Sequence, residues 1–153
     1  MSLVKPKIST NTVPPALFAV LLCLLISGCG EAAKPWEQVV AASGTLMLDG
    51  QPVQGAELTL FPTASDFPET VRPSATTSAG GSFALGTYGT ADGAPAGDYK
   101  ASVVWFKVVD SGGSMVRGAN VLPGRYANPE TSGLKVVVNA SESTLPPIEL
   151  KKK

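Results

Sequence analysis

From Ser43 onward the chain is organised by twos. In "GTLMLDGQPVQGAELTLFP", Leu46 and Leu48 fall on one face of an extended segment and Leu58 and Leu60 on the equivalent face of the next, with Asp49, Gly50, Pro52 and Gly55 between them. Period-2 patterning around Gly and Pro reads as strand, turn, strand. "SATTSAGGSFALGTY" adds a short strand with Phe83 and Leu85 inward after Gly80-Gly81, and "GAPAGDYKASVVWFKVV" carries the longest strand signal, Tyr99, Ala101, Val103 and Trp105 alternating with Lys100 and Ser102. "LKVVVNA" and "LPPIEL" supply two more. No segment sustains a 3.6-residue apolar repeat, so the pattern predicts an all-β domain, an antiparallel β-sandwich of about seven strands. Trp105 and Phe106 point to opposite sides of one strand, which leaves one of them exposed unless a neighbouring loop covers it.

The N-terminus follows a different rule. Lys5 and Lys7 stand in a stretch without acids, Ala16 to Ile26 is an unbroken apolar run, and Ser27 and Gly28 close it. This is the layout of an export signal: basic, then apolar, then small. The run is about half the roughly 20 residues that a membrane span needs. Pro14 and Pro15 before it, Gly28 after it and the lack of a polar face argue against a core helix.

"LISGC", Leu25 to Cys29, resembles the lipobox of bacterial lipoproteins, with Ile26, Ser27 and Gly28 before the cysteine that becomes residue one. The resemblance implies cleavage between Gly28 and Cys29 and acylation of Cys29 by diacylglycerol, with a further acyl chain such as palmitate on its amino group. Residues 1–28 are then a lipoprotein signal peptide, and Cys23 leaves with it. The processed chain has no free thiol and no intramolecular disulfide. Two or more acyl chains anchor a protein stably, at about 0.8 kcal/mol per buried methylene. The expected location is the envelope, lipid-anchored to the membrane, with Gly30 favouring the outer membrane because it is not the aspartate associated with inner-membrane retention.

Composition narrows the chemistry. Removing residues 1–28 takes two of the twelve Lys and Arg and none of the twelve acids, leaving a net charge of −2. A nearly neutral chain has no electrostatic footprint for nucleic acid. There is no histidine, so histidine triads, imidazole bases and the usual zinc sites are unavailable. No cofactor is called for. The close acidic pairs, Asp66 with Glu69 and Asp92 with Asp98, sit in Pro- and Gly-rich turns where aspartate bonds local backbone. No D-x-D-x-D-G spacing for calcium is present. The expectation is no catalytic residue and no metal site.

Gly44, Gly50, Pro52, Gly55 and Ala56, then Thr77, Gly81 and Phe83, then Pro95, Gly97 and Tyr99 resemble the successive motifs of carboxypeptidase regulatory-like domains. That resemblance implies a prealbumin (transthyretin)-like, Ig-like sandwich and no peptidase activity. Where that family often has acids, this chain has Ser78 and Gly80. The lipobox together with "LPGRYANPETSGL" is similar to small planctomycete lipoproteins. The implied organisation is signal 1–28, lipidated tether 29–38, sandwich 39–150 and basic tail 151–153.

"LPGRYANPETSGL", Leu122 to Leu134, is the candidate ligand loop. Arg125, Tyr126 and Asn128 could offer a donor fork, an aromatic face and a polar group to a glycan or peptide. Alternatively, Tyr126 fills the end of the sandwich, Asn128-Pro129 turns, Thr131 or Ser132 bonds backbone and Gly133 takes a positive φ. The functional expectation is a non-catalytic binding or assembly module at the envelope, its partner an envelope protein or glycan. The alternatives are a structural surface-layer or adhesion component and a carboxylate-dependent hydrolase.

Overall fold

The computed structural model describes residues 33–153, and Ala33–Lys153 form one compact unit. Cys23, Gly28 and Cys29 lie outside the described residues. The strands are β1 (Val39–Val40), β2 (Ser43–Leu48), β3 (Gln51–Pro52), β4 (Ala56–Pro62), β5 (Ser74–Thr76), β6 (Ser82–Ala84), β7 (Ala94–Pro95), β8 (Gly97–Ser111), β9 (Ser114–Asn120), β10 (Lys135–Val138) and β11 (Ile148–Leu150). One sheet runs β10-β8-β4-β5 with β9 also on β8; a second runs β11-β2-β3 with β6 also on β2; β1 pairs with β7. The all-β reading holds.

One apolar cluster joins the two larger sheets. Leu46 and Leu48 from β2, Leu58 and Leu60 from β4, Tyr99, Ala101 and Val103 from β8, Val136 and Val138 from β10, and Ile148 and Leu150 from β11 all belong to it. These are the alternate positions of each strand, as period 2 requires. Full burial of an aliphatic side chain of this size stabilises by about 1.5–3 kcal/mol.

The turn residues act by specific bonds. Buried Thr77 accepts the Ala56 N–H on Oγ1 at 2.9 Å, while the Gly55 N–H donates to Thr77 O and the Thr77 N–H to Ala56 O, both at 2.8 Å. Gly81 has φ +74°, and a Cβ there would meet Leu46 O at 2.5 Å, so only glycine fits. Where an acid might stand, Ser78 closes the turn by donating to Ser82 O at 3.0 Å. The Tyr99 hydroxyl donates to Pro95 O at 2.7 Å, pinning the start of β8, and burial raises its pKa.

Two expectations need correction, and one alternative left open is resolved. The strands number eleven among the described residues rather than seven, because several pairings last only two or three residues. The second sheet is mixed, since β11 runs parallel to β2. Segment 139–147 carries the chain from one sheet to the other, and the Ser43 N–H to Ser143 O and Leu145 N–H to Ser43 O bonds, 2.9 and 2.7 Å, start that parallel ladder. Neither Trp105 nor Phe106 is fully exposed. Trp105 packs against the core, and the Arg117 guanidinium lies 3.6 Å from the Phe106 ring centroid.

Candidate functional site

The loop Leu122–Leu134 brings Arg125, Tyr126 and Asn128 together, and their polar groups are directed into the chain. Gly124–Ala127 is a 3-10 turn and Pro129–Ser132 a single helical turn ended by Gly133 at φ 70°. Asn128 caps that turn, accepting the Glu130 N–H at 2.9 Å. Tyr126 is 5% exposed, and its hydroxyl accepts the Lys151 N–H at 2.8 Å. Arg125 lies 4.7 Å from the Tyr126 ring centroid and donates to Lys151 O at 2.5 Å. Ser132 Oγ donates to Ala101 O at 2.6 Å, beneath the loop. This geometry favours the structural alternative, and it fastens the first residue of the lysine tail to the domain.

Asp92 accepts the N–H groups of Thr87 at 2.7 Å and Tyr88 at 3.1 Å, bonds that hold its carboxyl below the ordinary carboxylate range. Among the described residues no cluster of three metal-ligating side chains occurs. A groove of about 490 Å³ lies between β10 and segment 139–149, with Lys135, Val137, Glu142 and Thr144 among its lining.

Among the described residues, the surface that lacks a counterpart is a hairpin. β8 pairs with β4 only as far as Trp105, then continues to Ser111 with β9 as its partner. Gly112 and Gly113, at φ +66° and +89°, make the two-residue turn, a type that matches the twist of the flanking strands. Asp110 Oδ1 accepts the Gly113 N–H at 2.8 Å. At the base, Arg117 Nη2 bonds both Glu57 carboxylate oxygens at 2.8 Å, and the bulge that sets Gly118 and Ala119 opposite Lys107 needs a glycine, because a Cβ on Gly118 would lie 2.8 Å from Lys107 O.

Apolar side chains occupy both faces of this arm. Val109 sits opposite Val116 on one face, while Val108 and Met115 lie on the other. Val108 is 62% and Met115 72% exposed. Among the described residues β9 pairs with β8 alone, and the alternation of an antiparallel ladder turns the backbone groups of Met115 and Arg117 outward. An isolated two-stranded ribbon is marginal in water. Exposed apolar groups grouped on an open edge mark an interaction site. The arm was not expected from the sequence, although Gly-Gly between "VVDS" and "SMV" is a recognised hairpin signal.

The arm and the beginning of the described chain lie at opposite ends of β8. Val39 pairs with Pro95, and Trp36 packs edge-on against Phe67, which packs edge-on against Tyr99. The hairpin tip is 14 residues beyond Gly97 along one strand, about 45 Å.

No family model matches this chain, and no curated protein does. Among solved structures it is similar to a proposed carbohydrate-binding protein from Pseudomonas aeruginosa, at 16% identity and a TM-score of 0.41, over 78% of this chain and 92% of that one. It is also similar to a 9R-lipoxygenase from Cyanothece, at 19% identity and a TM-score of 0.37, over 89% of this chain and 20% of that one.

Proposed function

We propose that this protein is an exported lipoprotein, anchored through Cys29, that acts as a non-catalytic binding or assembly module at the cell envelope. The observation that carries the reading is the β8–β9 arm, a ribbon with exposed apolar side chains that, among the described residues, has an open edge and no layer to cover it. Only Gly30, Glu31 and Ala32 separate the acylated cysteine from Ala33, a span of at most about 14 Å. A lipid on Cys29 therefore keeps the Trp36 end near the bilayer, and the arm, at the other end of β8, is free to meet a partner protein. An extended segment of that partner would pair with β9 and bury Val108, Val109, Met115 and Val116.

Thiol protection tests this. Once Cys29 is acylated and Cys23 removed, Met115→Cys provides the only free thiol. Maleimide should label Met115→Cys at least tenfold more slowly in native membranes than after purification in detergent, while Val137→Cys, on β10 and 50% exposed in the parent, reacts equally in both. Equal rates for Met115→Cys would contradict an occupied arm.

A further inference from the structure

We infer that the cleft between Trp36 and Tyr88 is a second binding site, for a neutral oligosaccharide; this goes beyond the arm and does not rest on lipid anchoring. The cleft measures about 420 Å³ and is lined by Trp36, Glu37, Pro68, Thr70, Val71 and Tyr88, within the range of about 300–1,000 Å³ that small-molecule sites occupy. Its two aromatic rings are held from behind. Asp92 fixes the Tyr88 turn through two N–H groups, Thr87 Oγ1 donates to Gly93 O at 2.7 Å, and the Tyr88 hydroxyl donates to Trp36 O. Trp36 in turn rests edge-on against Phe67. Tyr88 nevertheless remains 59% exposed. An exposed ring fixed on a frame beside the half-buried Trp36, whose ring has the Lys34 ammonium 5.9 Å from its centroid, suits a ligand that is apolar on its face and polar at its rim, which describes a pyranose. The polar groups at hand match that rim. Glu37 uses Oε2 to accept the Lys34 N–H at 3.2 Å, leaving Oε1 free among the described residues to accept sugar hydroxyls, and Thr70 offers a hydroxyl that both donates and accepts. A preorganised site loses little entropy on binding.

The test uses the full chain in detergent, labelled with 5-fluorotryptophan. Its two tryptophans, Trp36 and Trp105, give two fluorine resonances, assigned with Trp105→Phe. Titration with cellotriose and triacetylchitotriose should move the Trp36 resonance and leave Trp105 in place for at least one of them, with half-saturation at about millimolar concentration. Tyr88→Ala should raise that concentration at least tenfold and Glu37→Gln at least threefold, while Tyr88→Phe, which keeps the ring but loses the bond to Trp36 O, should raise it less than Tyr88→Ala does. The inference is overturned if neither trisaccharide moves Trp36, if both resonances move alike, or if Tyr88→Ala and Glu37→Gln bind as the parent does. A response to a polyproline peptide but to neither trisaccharide would also overturn it, in favour of a peptide groove.

Discussion

Tyr126→Ala is expected to lower the unfolding free energy by about 3–5 kcal/mol, the range for removing a large aromatic side chain from a packed core. The ring is 5% exposed and belongs to the main cluster. Its loss leaves a cavity beneath the 3-10 turn and frees the start of the lysine tail, because the hydroxyl also binds both the N–H and, at 3.2 Å, the carbonyl of Lys151. Tyr126→Phe separates the two contributions and should cost about 1 kcal/mol, the net worth of an ordinary hydrogen bond. Arg125→Ala should cost no more than that, since its head lies at the surface on backbone carbonyls. Urea denaturation of the three variants checks this ordering. If Tyr126→Ala unfolds at the parent's midpoint, Leu122–Leu134 is a presented binding loop after all, and Arg125, Tyr126 and Asn128 regain their place as ligand residues.

Cys29→Ser is expected to abolish lipid attachment altogether. Metabolic labelling with palmitate should fall to background, and the protein should leave the detergent-soluble membrane fraction. On the lipobox reading the acyl chains on Cys29 supply the anchor, and among the described residues no helix is long and apolar enough to cross a membrane. Cys23→Ser should change neither readout. Palmitate labelling that survives Cys29→Ser would contradict the lipobox reading.

The inward faces were legible because alternation is a local property. Leu46, Leu48, Leu58, Leu60, Phe83, Leu85, Tyr99, Ala101 and Val103 are all buried, and each stands at the position that period 2 selects. The direction of β11 was not legible, since nothing inside "IEL" distinguishes parallel from antiparallel; that choice is made by where segment 139–147 crosses between sheets. Phe106 shows the same limit from another side. Its cover comes from Arg117, eleven residues along the chain, and period 2 says nothing of cross-strand partners. The arm combines both problems. Its Gly-Gly turn was present in the sequence, yet alternation assigns Val108 and Val109 to opposite faces without saying whether any layer faces them. The Trp36–Tyr88 cleft was hidden for a related reason: its two rings come from segments 52 residues apart, joined by a hydroxyl-to-carbonyl bond.

The most direct measurement of the central claim is site-specific photocrosslinking in intact cells, with a photoreactive phenylalanine analogue placed in turn at Met115, Val108 and, as a control on a different strand, Val137. Val137, on β10, is 50% exposed and so also open to solvent contact. The account predicts one discrete protein adduct from Met115 and from Val108, of the same size, absent from Val137, and lost from Met115 when Val109→Asp and Val116→Asp put charge on the other face of the ribbon. No adduct from either arm position above the Val137 background would contradict the assignment of the arm as the surface through which this module binds its partner.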